Sequence, residues 1–377
     1  MTYRDLEDSR SFVFRSLSCL IWFLIPALTT SAQDAFSGMK EMFTTPKHYV
    51  VKHTSEILKM DGHLDERAWE MAGWRSDFED IEGSKRPLPA HQTRVKMLWS
   101  DSTLFIAADL REPQVWATQT QHDDIIFKDN DFEVFIDPDN NGHNYFEVEV
   151  NAFNKIFDLF LPKPYRNGGD ALVSWDVSGL KTGVKIEGTL NKPDDVDKGW
   201  IVEMAIPLKA LRMGYDIKVP EEGAIWRINF SRVEWDTKIV EGKNVKVKDA
   251  NGKNLPEHNW VWSPQGVIDM HYPERWGYLQ FTRKDNAVFE LPFREHQKQY
   301  LWLVYYKQKQ HLKEFGRYAT TLKELGVDSE VEVLAKPNWL ELQASAKQFL
   351  AIIKGEDGTE ISVDYDGQIK VQQARRK

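Results

Sequence analysis

The side chains best placed for chemistry in this sequence are carboxylates set in alternation. Asp131, Glu133, Glu147 and Glu149 occupy every second position of two short runs, 131–137 and 145–150, joined through Pro138-Asp139-Asn140-Asn141-Gly142. In an extended chain successive side chains point to opposite faces. Phe132, Val134, Ile136, Phe146, Val148 and Val150 are therefore expected on a buried face, with the acids and Phe135 on a solvated one. Such a stripe can accept hydrogen bonds from hydroxyl groups. As a cross-strand pair about 5 Å apart, Glu133 and Glu147 would also have the spacing of a retaining glycosidase. The connecting turn is a second candidate, since Asp137, Asp139 and Asn141 present oxygens at alternate positions like the first half of a calcium loop. Position twelve of that loop is Val148 instead of a bidentate glutamate, which favours a plain turn. Asn-Gly supplies the positive φ angles of a tight hairpin.

Other chemistries lack their residues. There is no glycine-rich phosphate loop, no paired-histidine zinc motif and no serine elbow. His122, His143, His258 and His271 stand isolated in sequence and are expected as surface or hydrogen-bonding residues. With 49 basic and 58 acidic side chains in 377 residues the formal charge is −9. Binding to nucleic acid draws on clustered Lys and Arg, and no such patch occurs, so no nucleic-acid partner is expected. The 14 Trp, 12 Tyr and 20 Phe favour β-structure or an aromatic ligand surface.

Short runs of period two at 95–99, 103–108, 132–137, 145–150, 200–206, 226–233 and 278–281 predict an antiparallel β-sandwich over 48–285, with one brief helix at 64–72. Apolar residues then recur at helical spacing from 293 to 325, followed by five short strand-like runs. This predicts a C-terminal extension, 290–377, of one long helix and a small antiparallel sheet. Packing, or docking of a protein partner through 290–325, is its expected role.

At the other end, Arg10 and Arg15 precede an apolar run, 17–28, and Thr30-Ser31-Ala32. This pattern predicts a signal peptide over 1–32 and a secreted or periplasmic chain. The run is shorter than the roughly 20 residues of a membrane-spanning helix. The only cysteine, Cys19, would leave with it, so no disulfide or zinc–thiolate site is expected. Residues 33–47 are expected as a linker.

A series of motifs in fixed order completes the reading. Asp61-Gly-His-Leu-Asp65-Glu-Arg-Ala-Trp69 is followed by Val95-Lys-Met-Leu-Trp99-Ser-Asp101 and Asp109-Leu-Arg-Glu-Pro113. Next come Asp129-Asn-Asp131-Phe-Glu133-Val-Phe-Ile-Asp137, Gly199-Trp-Ile-Val-Glu203-Met-Ala-Ile-Pro207 and Trp226-Arg-Ile-Asn229-Phe-Ser-Arg232. Trp262-Ser-Pro264 and His271-Tyr-Pro273-Glu-Arg-Trp276-Gly277 close the series. In this order, over about 50–285, the chain resembles the family 9 carbohydrate-binding modules. The resemblance implies a DOMON-like β-sandwich, often with structural calcium and with no cofactor required, that holds a sugar between two tryptophans. Phe127 and Met270 stand at the two clamp positions, Glu133 matches the acid that contacts sugar hydroxyls, and Glu147 replaces an arginine.

Covering roughly 100 Å² of apolar surface is worth on the order of 2.5 kcal/mol. Loss of one indole therefore implies a weaker or altered ligand. Trp116, Trp175, Trp235, Trp260 and Trp262 are possible substitutes, while Trp69, Trp99 and Trp226 lie in core-like patterns. The expected sugar-contacting set is Phe127, Glu133, Trp175, Asn229, Arg232, Trp262 and Met270, and Asp137, Asp139 and Asn141 are the expected calcium set. The leading expectation is non-catalytic binding of an oligo- or polysaccharide. A ligand-free adaptor and a glycoside hydrolase are the alternatives.

Overall fold

The computed structural model describes residues 36–212 and 219–372. The expected signal peptide, with Cys19, lies outside the described residues. Fourteen strands precede the long helix: β1 (His48–His53), β2 (Glu79–Asp80), β3 (Thr93–Trp99), β4 (Thr103–Arg111), β5 (Asp131–Asp137), β6 (Tyr145–Asn151), β7 (Ile156–Leu161), β8 (Lys181–Glu187), β9 (Gly199–Pro207), β10 (Ile225–Glu234), β11 (Thr237–Val240), β12 (Lys243–Lys246), β13 (His258–Val261) and β14 (Gly277–Thr282). Twelve of them form one curled sheet in the order β7-β6-β5-β10-β14-β1-β3-β4-β9-β8, with β13 on β10 and β2 on β13. β11 and β12 pair separately. The pairings are antiparallel except those of β1, which runs parallel to both β14 and β3.

Alternation explains the core. Phe132, Val134 and Ile136 of β5 and Phe146, Val148 and Val150 of β6 meet Val95, Met97 and Trp99 of β3, Leu104 and Ile106 of β4, and Val202 and Met204 of β9 in one apolar cluster. Two fully buried indoles keep a partner for their N–H, as amphipathic rings usually do. Trp99 Nε1 donates to the Thr282 carbonyl at 3.1 Å, and Trp69 Nε1 to Glu203 Oε1 at 2.8 Å. The brief helix expected at 64–72 is α1 (Arg67–Met71).

The long helix, α2, covers Phe293–Phe315. It ends ten residues before the periodicity does, because Gly316 takes a left-handed cap at φ 70 and its amide closes on the Leu312 carbonyl. Five antiparallel strands follow: β15 (Glu330–Val333), β16 (Lys336–Ala344), β17 (Phe349–Gly355), β18 (Glu360–Asp364) and β19 (Ile369–Gln372).

One expectation is corrected here. Residues 40–47 of the expected linker are docked, with Glu41 O and Thr44 Oγ1 accepting from Arg275 Nη2 and Lys47 paired to Glu79. The packing expected of α2 is found within the chain. Glu295 is buried between Lys298 at 2.8 Å, Asn140 Nδ2 at 3.0 Å and Arg227 Nη2 at 3.4 Å. Tyr306 donates to Glu274 Oε1, Tyr305 to Asn167 Oδ1, and the Ile369 amide to the Asn141 carbonyl.

Candidate functional site

The acid face of β5 and β6 is buried instead of solvated. Asp131, Glu133, Glu147 and Glu149 are at most 5% exposed. The reason is a second apolar cluster in which Ile81, Val261, Met270 and Trp276 pack against Phe135, Tyr145, Leu159 and Leu161 on this same face. The cover is incomplete. It leaves a cavity of about 340 Å³ lined by Phe127, Glu133, Glu147, Glu149, Phe157, Tyr165, Glu257, Met270 and His271, with no Lys or Arg among its lining residues. Register also corrects the carboxylate pair, since Glu133 stands opposite Glu149 and Phe135 opposite Glu147.

Burying several carboxylates without a cation favours their protonated forms. Burial first, and the Glu133 charge second, hold Asp131, Glu147 and Glu149 well above the usual carboxylate range. Burial pushes Glu133 itself up to about 7. His271 moves the other way, lowered to about 4 by burial and then by Arg166, so it is neutral and its Nδ1 faces the Tyr145 hydroxyl at 2.9 Å. Phe127 is 40% exposed. Its backbone is held on both sides, the amide donating to Glu149 Oε2 at 3.1 Å and the carbonyl accepting from Trp235 Nε1 at 2.9 Å. The site thus combines one presented ring, acceptors below it and a neutral imidazole on the wall.

Phe127, Glu133 and Met270 come together in this cavity, and the other expected contact residues do not. Asn229 is fully buried and clamps the Ser263 backbone through both amide atoms at 3.0 Å. Arg232 is fully buried on the other face of β10, where it binds Glu112, Glu234, Thr93 and the Arg111 carbonyl. Trp262 packs edge-on against Phe230 in the main core. Trp175 leans on Phe146 and Phe160 at the rim of that core. Of the other substitutes, Trp116 and Trp260 are buried and Trp235 reaches the surface beside Phe127. Tyr165, Glu257 and His271 were missed. No local pattern marks them, because they arrive on loops distant from β5.

The donors of the expected calcium set are partly engaged with one another and with the backbone. Asn141 turns its Nδ2 toward Asp139 Oδ2 at 2.7 Å, and its own Oδ1 accepts the His143 amide. Asp137 Oδ2 accepts the Gly142 amide. Asn141 thus presents a hydrogen donor toward Asp139, while Asp137 Oδ1 is buried with no hydrogen-bond partner. The segment is a hairpin turn, with Asn140 at φ 53 and Gly142 at φ 83.

The comparison with protein families decides the identity of this body. The family described as "Carbohydrate family 9 binding domain-like" matches residues 60–282, more than half of the chain. The chain belongs to this family. Among solved structures, a protein of Bacteroides uniformis ATCC 8492, provisionally described as carbohydrate-binding, is 15% identical, with 63% of this chain and 100% of that one covered at a TM-score of 0.47. A family 9 module of Caldicellulosiruptor kristjanssonii in complex with cellotriose is 17% identical, covering 65% and 100% at 0.39. One in complex with glucose is 16% identical, covering 64% and 99% at 0.39. No curated protein matches the chain. Within this family 9 body Phe127 is the exposed ring of the cavity, and Met270 beside it is 8% exposed. Among the described residues, no helix is long and apolar enough to cross a membrane.

Proposed function

We propose that this family 9 chain is a non-catalytic carbohydrate-binding protein whose cavity beside Phe127 takes a neutral, hydroxyl-rich sugar. One observation carries the reading: an exposed ring lies next to buried carboxylates that lack cationic partners and face open space. A sugar satisfies both parts. Its C–H face covers Phe127, and its hydroxyls exchange hydrogen bonds with Glu133, Glu147 and Glu149, whose carboxyls donate and accept when protonated and accept when ionised. A uronic acid or sulfated glycan would bring a charge into a largely buried space that has no Lys or Arg among its lining residues to pair it, and is disfavoured.

The signal-like segment at 1–32 supports a reading in which this capture is secreted or periplasmic and serves polysaccharide breakdown. Calorimetry of the full chain with glucose, cello-oligosaccharides and a polyuronate tests the ligand class. Neutral sugars should bind at micromolar to millimolar concentration, and the polyuronate should not. No heat and no polysaccharide retention at millimolar sugar would remove the reading, while released product would replace it with hydrolysis. Mass spectrometry of the exported chain tests the compartment, the expected mature N-terminus being residue 33.

A further inference from the structure

We propose that His122, Asp123, Asp158 and Asp176 form a four-coordinate site for a divalent transition-metal ion, zinc first. The four are scattered in sequence, and the fold assembles them. Asp158 lies in the middle of β7, the outermost strand on one side of the large sheet. His122 and Asp123 belong to the loop that leads toward β5, and Asp176 to the loop that follows β7. Their donor atoms all lie within 4.8 Å of one another.

His122 Nε2 stands 2.8 Å from Asp176 Oδ1, 3.6 Å from Asp123 Oδ1 and 4.0 Å from Asp158 Oδ1. Zinc binds imidazole and carboxylate donors at about 2.0–2.2 Å in a tetrahedron, which puts neighbouring donors roughly 3.3–3.6 Å apart. The three separations bracket that value. The cluster needs only small side-chain adjustments to close on an ion.

A second observation points to a ligand. The Asp158 side chain is 2% exposed, and its Oδ1, which faces His122, has no hydrogen-bond partner. Its Oδ2 is already taken by the Val177 amide. An orphaned buried acceptor is costly, and the His122–Asp176 contact does not relieve it, because a single Nε2 proton serves Asp176 alone. A metal ion would bind all four donors at once.

The backbone is set for this. Asp123 adopts a left-handed φ of 62, and its amide is anchored to the Ile156 carbonyl at 2.9 Å, beside the strand that carries Asp158. The donor set selects the ion class, since calcium prefers an all-oxygen shell and an imidazole suits zinc or its first-row neighbours. A contrast within the chain sharpens the point. His91, Glu112 and Glu234 also cluster, but the Arg232 guanidinium already lies on both glutamates. Among the described residues, no Lys or Arg pairs with Asp158.

The test uses tag-free full-length chain stripped with EDTA and titrated calorimetrically with zinc chloride and, separately, calcium chloride. One equivalent of zinc should bind, and cobalt(II) should give the intense visible absorption of a tetrahedral centre. Asp158→Asn, which keeps the side-chain shape, should weaken zinc at least tenfold, and so should His122→Asn on the exposed side of the site, which also serves if the Asp158 variant does not fold. Zinc uptake that is absent, or equal in the variants and the native chain, overturns the proposal, as does calcium binding in place of zinc. The sugar cavity is a separate site, so glucose binding is unaffected by either result.

Discussion

Two buried clusters of carboxylates on neighbouring strands have opposite fates. At the end of β10, Glu112 and Glu234 close on Arg232, whose Nη2 is 2.5 Å from one and 2.7 Å from the other. Its remaining donors are used on Thr93 and the Arg111 carbonyl, and the Trp260 ring lies 5.4 Å from the guanidinium. On the opposite face of the sheet, Asp131, Glu133, Glu147 and Glu149 are as deeply buried, and no cation lines their cavity. The first cluster is internally complete and holds two layers together. Both border open cavities, but the second has no cation among its lining residues, which on the proposed reading leaves its carboxyls to a partner from outside.

Removing the cation from the complete cluster has the largest expected effect. Arg232→Met leaves two buried glutamates uncompensated and should lower the unfolding free energy by about 3–5 kcal/mol, read by urea denaturation at neutral pH. A loss under about 1 kcal/mol would erase the distinction between the clusters.

The incomplete cluster should respond in the opposite direction. The folded pKa of Glu133, about 7, lies above the ordinary 4.5 of the unfolded chain, so the folded state holds the extra proton between those values. Stability is greatest below the unfolded pKa and falls as pH rises through about 7. Glu133→Gln removes that burden and should stabilise the sugar-free chain at pH 8 by about 3 kcal/mol while weakening glycan binding at least tenfold. Destabilisation of the sugar-free variant would show that Glu133 is a structural residue.

The native chain should show the same trend without mutation. Its melting temperature, free of sugar, should drop between pH 5 and pH 8, and the drop should be smaller in Glu133→Gln. A flat profile would mean the acids are compensated after all. Phe127→Ala has the smallest expected effect, a roughly fivefold loss of affinity from about 1 kcal/mol of uncovered ring. The melting temperature should barely move, because the ring is 40% exposed.

Much of the architecture was legible because alternation is a local signal. Phe132, Val134 and Ile136 announce their shared face within five residues, and the structure places them in the core. The environment of the other face was not legible, because Ile81, Val261, Met270 and Trp276 cover it from distant segments. Register was equally hidden: nothing between residues 131 and 150 says that Glu133 meets Glu149 instead of Glu147. Arg232 and Asn229 were read as ligand contacts because polar residues in a motif invite that reading, yet their partners turn out to be structural. The environment of the long helix's polar side was hidden for a related reason. Glu295, Gln297, Lys298 and Gln308 look like a solvated face and are buried against charges and amides supplied from elsewhere in the chain.

The turn at 138–142 is completed from far away, by Glu295 and Lys298 on Asn140 and by the amide of Ile369 on Asn141. A ribosome must therefore deliver nearly the whole polypeptide before this hairpin acquires its last bonds. Until then the far end of β5 and β6 stays loosely tied, and a nascent chain stopped short of residue 369 carries an unpinned turn however well its earlier strands have paired.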